Sequence, residues 1–320
     1  MEEESGGGVR FLVNPAAGRG TGKAHLDRIR VLASRHGAGL VVSRKVSDLA
    51  AQARRAAEDG VERLLVAGGD GTMHHAAQGL AGTSCALGVI PLGSGNDLAG
   101  TLGIPPDLDV AVEGALKGEI RRIDLARVGE TWCIGYAGVG FDSEVTRFAN
   151  EVKYLRGSLI YFYSVIHTLA TFKPPRMKVV YDGGTFEGKV MFTVVNNLPR
   201  FGGGMRIAPE ARIDDGLLDL VIVREIPKSA LLSIFPKVYS GRHVGHPAVT
   251  IARTRKAEIT IDRAMTMYGG GEPVRSVEAG ETVAVEVVPG GLGVVDWRCL
   301  QPDDPVRHQI SPRSESSALR

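Results

Sequence analysis

The sequence predicts a parallel-sheet α/β domain followed by a mainly antiparallel β domain, and three observations carry that reading. Short apolar runs alternate with helical patterns over roughly the first 130 residues. Past about Val128 the pattern changes to Val- and Ile-rich runs, several alternating with period two. Glycine makes up 42 of 320 residues, and part of it collects at the ends of predicted strands. That is about thirteen per hundred where about seven is usual, with no G-X-Y period, so the surplus serves tight turns or backbone that approaches a ligand.

Taken in order, Val9 to Val13 reads as a strand, and Lys23 to His36 as a helix that Gly37 stops. Gly39 to Ser43 is the next strand, Leu49 to Glu58 an Ala-rich helix, Arg63 to Ala67 a buried-type strand, Met73 to Leu80 a helix and Ala86 to Ile90 a strand. Strand and helix in this alternation imply a parallel sheet with ligands at its carboxyl edge. Strands are then expected at Met177 to Tyr181, Lys189 to Asn196, Leu218 to Val223, Glu258 to Ile261 and Val283 to Val288. Two helical patterns interrupt them, Lys153 to Thr171 and Ser229 to Tyr239. The predicted domains are 9–128 and 129–300, with disordered ends at 1–8 and 301–320.

Composition narrows the function classes. With 43% hydrophobic and 23% charged residues, disorder over most of the length is excluded. A net charge of +2 does not point to a nucleic-acid binder. Residues 151–256 nevertheless carry 16 basic against 8 acidic residues, an excess suited either to an anionic membrane or to a scattered solvated face. Cys85, Cys133 and Cys299 are odd in number and far apart, which supports neither a disulfide framework nor a metal knuckle and fits a reducing cytoplasm. The acidic, Gly-rich start lacks the marks of a signal peptide. The most apolar stretch, Ser158 to Phe172, is shorter than the ~20 residues that span a bilayer, so membrane contact is expected to be peripheral, at the inner face. The sequence leaves oligomeric state open, a homodimer included.

Three glycine-bearing loops follow predicted strands: 14–20 (Asn14-Pro15-Ala16-Ala17-Gly18-Arg19-Gly20), 68–72 (Gly68-Gly69-Asp70-Gly71-Thr72) and 91–97 (Pro91-Leu92-Gly93-Ser94-Gly95-Asn96-Asp97). Loops at one edge of a parallel sheet converge, and bare backbone N–H groups beside helix N-termini suit a polyanion, so a nucleotide phosphate site is expected. A P-loop is absent, since the nearest stretch ends Gly22-Lys23-Ala24 and has Ala17 where its first Gly belongs; no G-x-G-x-x-G follows the first strand either. Asp70 would repel phosphate unless it holds Mg²⁺ or orients a donor; the alternative is a turn Asp that bonds its own backbone.

These three loops, in this order, resemble the catalytic domain of the diacylglycerol kinase and sphingosine kinase superfamily, in particular its soluble bacterial lipid kinases. The Gly-Gly-Asp-Gly element alone is shared with NAD kinases and phosphofructokinases; the 91–97 loop distinguishes the lipid branch. The resemblance extends from Val9 to about Cys299 and includes Gly140-Phe141-Asp142. It implies an ATP-binding domain of NAD kinase/diacylglycerol kinase-like fold, a β-sandwich-like lipid domain, and transfer of the ATP γ-phosphoryl group to a lipid hydroxyl. The alternatives are an NAD kinase-like enzyme, or a nucleotide- or lipid-binding protein of the same fold with little kinase activity.

By the same resemblance the nucleotide site comprises Asn14, Pro15, Ala16, Ala17 and Gly18, then Ser43, then Gly68, Gly69, Asp70, Gly71, Thr72, Met73, His74 and His75, and finally Ser94, Asn96 and Asp97. A structural Mg²⁺ is implied at Asp215 with the carbonyls of Arg212 and Leu217; without the family, Asp214-Asp215-Gly216 would read as an exposed turn. The family's late Asp-Gly-Glu triplet appears here as Gly270-Gly271-Glu272, and its Asn-Glu pair as His74-His75. Either Glu272 alone is the base, or Asp70 acts through water, or the chain is catalytically weak. Adjacent histidines on a helix point apart and are not read as zinc ligands. The amphipathic stretch Leu155 to Phe172, with Leu159, Phe162, Tyr163, Ile166 and Leu169 at helical spacing, lines an acyl-chain cleft or is plain core.

Overall fold

Residues 8–151 and 158–296 are described by a computed structural model. Its first part reads β1 (Val9–Val13), α1 (Thr21–Arg35), β2 (Gly39–Val42), α2 (Asp48–Glu58), β3 (Arg63–Gly68), α3 (Asp70–Leu80), β4 (Ala86–Pro91), α4 (Asp97–Leu102) and α5 (Leu108–Lys117). The strands pair in parallel in the order β2-β1-β3-β4. Alternation within β3 sends Leu64 and Val66 to one face, where α2 and α3 contribute Leu49, Ala53, Met73 and Ala77. Leu65 and Ala67 face the other way, toward Ile29 and Leu32 of α1 and Leu108 and Val112 of α5. Both faces are covered, which is why β3 and β4 are near-continuous apolar runs.

The second part is an antiparallel sandwich: β5 (Glu119–Val128), β6 (Thr131–Cys133), β7 (Tyr136–Gly140), α6 (Phe141–Glu151), α7 (Ser158–Thr171), β8 (Arg176–Tyr181), β9 (Gly184–Asn196), β10 (Leu218–Arg224), α8 (Lys228–Val238), β11 (Val249–Thr254), β12 (Lys256–Ile261), β13 (Met265–Gly269), β14 (Glu272–Val277) and β15 (Thr282–Asp296). The long β9 pairs β8 through its first half and β7 and β10 through its second, so it joins the two layers. Met177, Val195, Leu220 and Ile259 meet between the layers. Val194, Val221 and Val223 point to the opposite face and are covered by Phe141 and Val145 of α6, Val165 and Leu169 of α7 and Leu231 of α8.

Three differences from the sequence reading bear on the site. Helix α3 begins at Asp70 rather than Met73, so Asp70, Gly71 and Thr72 form its first turn. Helices α4, α5 and α6 and strands β5, β6, β7, β11, β13 and β14 lie outside the sequence expectation; short length in α4, β6, β7 and β13 and a polar first half in β5 weaken the periodic signal there. Strand β15 runs eight residues past the expected Val288. A register shift between Val288 and Leu292 redirects it, and Val294 then pairs in parallel with Leu87 of β4 while Leu292 to Asp296 pair with the start of β5. The 153–157 part of the expected helix, Cys299 and the 301–320 tail lie outside the described residues, as do 1–7 and the side chains of Leu159 and Phe162.

Asp124 sits on β5 where the two parts meet. Its carboxylate accepts the amides of Gly216 (2.7 Å) and Gly290 (2.8 Å), and its main chain bonds Ile213 and Asn197. Asp124→Ala is expected to lower unfolding free energy by about 2 kcal/mol, because two amides lose a charged acceptor. A reduced midpoint in urea at unchanged far-UV dichroism would show it, and an unchanged midpoint would contradict it.

Candidate functional site

The three glycine loops do converge. Asn14, at the end of β1, donates from Nδ2 to Thr72 Oγ1 (3.0 Å) in the first turn of α3, while its Oδ1 accepts the Ala16 amide. Between the second and third loops the backbones touch. A Cβ on Gly93 would stand 2.5 Å from the Gly69 Cα, and one on Gly69 would stand 2.9 Å from the Gly93 Cα. Neither position tolerates a side chain without moving main chain. Asn96, a non-glycine residue with φ of +52°, closes the third loop by bonding both the amide and the carbonyl of Gly93. The side chains of Asn14 and Asn96 therefore shape the loops.

Asp70 orients donors, as one of its sequence readings required. Its Oδ1 accepts the amides of Asp97 (2.7 Å) and Leu98 (3.4 Å) at the start of α4. Burial and then the nearby Asp97 push its carboxyl up to about 6, against the restraining pull of the α4 amides. Asp97 in turn accepts the amides of Gly203 (3.0 Å) and Gly204 (2.8 Å), in the Phe201–Met205 turn of the second domain. Both glycines have positive φ. An acid of the third loop thus ties the α/β domain to the sandwich.

A cleft of about 860 Å³ opens along that tie. Asp70, His74, Ser94 and Asp97 are its polar lining from the first domain, Met73, Ile134, Leu198 and Phe235 are apolar, and Gly270 and Gly271 also line it. Tyr136 and Phe201 stack at 3.9 Å between ring centroids on the apolar side. Of the other expected residues, Asn14, Gly68, Gly69 and Thr72 are not among the cleft-lining residues, and Ser43, buried with an unpartnered Oγ, follows β2 beside the end of β1. Glu272 is not among the cleft-lining residues; its Oε1 lies 3.9 Å from His75 Nε2 and beside Gly71.

Comparison with known proteins agrees with the two-part fold. Residues 8–128 match the diacylglycerol kinase catalytic domain, and residues 135–296 match the YegS C-terminal NAD kinase beta sandwich-like domain. A diacylglycerol kinase of Mycobacterium tuberculosis is 32% identical over 302 residues, 90% of this chain and 95% of that one. The chain belongs to the diacylglycerol kinase family. A second relative in this family of lipid kinases, the diacylglycerol kinase of Bacillus subtilis, is 30% identical over 82% of this chain and 89% of its own. The fold is shared with a diacylglycerol kinase from Bacillus anthracis (TM-score 0.73, 22% identity, 90% of this chain and 96% of that one). It is shared more distantly with yeast NADH kinase (TM-score 0.54, 10% identity, 96% and 90%).

The Mg²⁺ site that the diacylglycerol kinase resemblance implies around Asp215 fits in donor type and is already engaged. Asp215 Oδ2 is ion-paired with Arg253, and Oδ1 accepts the Leu217 amide at 3.1 Å. Asp214 pairs with Arg121 (2.5 Å), and the neighbouring Asp215 and Asp214 add to burial in raising the Asp124 carboxyl. Oxygen donors with excess negative charge suit Mg²⁺, and the Asp215 carboxylate with the Arg212 and Leu217 carbonyls would hold it once Arg253 withdrew. Among the described residues no cluster of three or more His, Cys, Asp or Glu forms a ready metal site.

A second, apolar cavity lies between α6, α7, α8 and the sandwich, lined by Val165, Leu169, Phe192, Val221, Leu231 and Phe235, with Asp142 and His243 as its titratable groups. Its wall includes Leu169, from the amphipathic stretch; Tyr163 and Ile166 face outward. Burial pushes Asp142 up to about 7, only partly offset by amide donors, and its Oδ1 has no partner. The folded carboxyl holds its proton over a range where the unfolded one has lost it, so stability falls as pH rises from about 4 through 7. Asp142→Asn is expected to flatten that fall, measured as melting temperature against pH; an unaltered slope would contradict the assignment.

Proposed function

We propose that this protein transfers the γ-phosphoryl group of ATP, as its Mg²⁺ complex, to a hydroxyl of a diacylglycerol-like lipid. The observation that carries the reading is the single cleft with phosphate-suited glycine loops on one side and apolar rings on the other. Helix α3 starts at Asp70, which lines that cleft, and the free amides of a first helical turn suit a nucleotide's phosphates. Mg²⁺ supplies charge neutralisation on the phosphates when bound, and Asp70, whose Oδ2 lies beside Gly95 at the cleft, is placed to hold it directly or through water.

The acceptor must come from a bilayer, and the surface beside the cleft suits transient docking at the inner face. Tyr163 and Ile166 on α7, Leu232 on α8 and Tyr239 just after it are exposed, with exposed Lys228, Lys237 and Arg242 around them. Lys228 Nζ bonds the Ala170 carbonyl (2.7 Å), so the two helices form one face, and Tyr239 also lines the cleft. Such a face suits shallow insertion beside anionic headgroups. No helix among the described residues is long and apolar enough to cross a membrane.

Purified protein with labelled ATP and Mg²⁺ is expected to label at least one of diacylglycerol, a long-chain base, phosphatidylglycerol or a polyprenol in mixed vesicles, and EDTA is expected to abolish the label. Nucleotide binding with no labelled lipid would favour the alternative of a binding protein, for which Gly270 in place of the family Asp is the motive. Gly93→Ala is expected to weaken nucleotide binding at least tenfold, about 1.4 kcal/mol, by separating the second and third loops. Titration calorimetry checks this, and unchanged affinity would remove those loops from the phosphate site.

A further inference from the structure

The two departures from the family pattern meet in space. Gly270, with φ of +61°, lies between β13 and β14 over the first turns of α3. A Cβ at Gly270 would stand 3.0 Å from His74 Cβ and 3.1 Å from its Cγ and Nδ1. The imidazole thus fills the space that a side chain at 270 would need. It is 5% exposed, lines the cleft with Asp70, and its Nδ1 has no hydrogen-bond partner. Buried polar atoms are nearly always satisfied, and an exception at the wall of a cleft is open to a water or to a ligand's donor. Glu272 is turned instead toward His75 and Gly71.

We propose that the His74 imidazole receives the hydroxyl of the acceptor lipid, making in this chain the contact that an acid at position 270 would make; this rests on the lipid kinase reading. The acceptor oxygen forms its bond to the γ-phosphorus while the bond from that phosphorus to the β,γ-bridging oxygen breaks, its electron pair leaving with ADP. The hydroxyl proton passes to the Nδ1 lone pair of the Nε2–H tautomer and from the imidazolium to solvent at the cleft mouth. Burial, then His75, hold the free imidazole down to about 4, so at neutral pH the lone pair is open. In a loose phosphoryl-transfer transition state the hydroxyl keeps its proton until the new bond is well advanced, and a weak base then suffices. The His75 ring lies with its centroid 5.8 Å from that of His74, and the titratable groups that share the cleft are Asp70, Asp97, Tyr136 and Tyr239.

The test uses the full chain with whichever lipid the native protein labels. His74→Phe keeps a ring against Gly270 and removes the acceptor; kcat is expected to fall about 100-fold, with melting temperature retained. His74→Asn, whose Oδ1 can stand near the Nδ1 position and accept the hydroxyl's hydrogen bond but not its proton, is expected to keep the native KM for lipid while its kcat stays near that of His74→Phe. Gly270→Asp alone is expected to impair the protein by crowding His74, and Asn at 74 to relieve it. A kcat within threefold of native for His74→Phe or for His74→Asn would overturn the proposal while leaving the kinase reading intact. No labelled lipid from the native protein would overturn both. Should His74→Phe fail to fold, ¹⁵N resonances of the native His74 ring decide: the Nδ1 signal is expected to move when lipid is added with ADP and Mg²⁺, and a static signal is the overturning result.

Discussion

Two backbones pressed together, Gly69 against Gly93, set the geometry on which the rest of the site depends. Only at that separation can the Asp70 carboxylate reach the amides of Asp97 and Leu98 and so fix the start of α4. With α4 fixed, Asp97 faces the sandwich and takes the amides of Gly203 and Gly204. A contact made of two absent side chains is therefore transmitted, through two carboxylates, to the relative placement of the two domains. The acids also share a cost. Asp70 is buried beside a like charge, an arrangement that favours a cation or a proton over an empty site.

Much of this was legible in the sequence. The alternating strands and helices of the first 90 residues follow from periodicity, because each strand is buried on both faces and each helix on one. The three loops were readable because glycine at a strand end has few other uses. Less legible was what the polar loop residues do. Asn14 and Asn96, expected at the nucleotide site, also brace their own loops, since a side chain two or three residues from a tight turn bonds its own loop as readily as a guest. The partner of Asp97 lies 106 residues away in a glycine triplet that sequence alone reads as a turn. Nothing local announces a contact at that distance.

The departures at 74 and 270 illustrate the same limit from the other side. Read along the chain, each is a separate loss of a family residue. In three dimensions the imidazole of one occupies the room vacated by the other, so the pair is a single substitution distributed over two positions. The left-handed backbone at Gly270 would itself admit an Asp more readily than most residues, which leaves the crowding by His74 as the stronger barrier.

The redirected end of β15 carries a further consequence for how the molecule comes into being. Residues Leu292 to Asp296, the last described, lie between the edge of the first domain's sheet at β4 and the start of β5. Until they emerge from the ribosome, β4 presents an unpaired edge over a nearly finished nucleotide fold, the kind of surface that recruits stray strands. The first domain made is thus among the last completed, and a nascent chain stopped short of Leu292 lacks a strand in the domain that would bind the nucleotide.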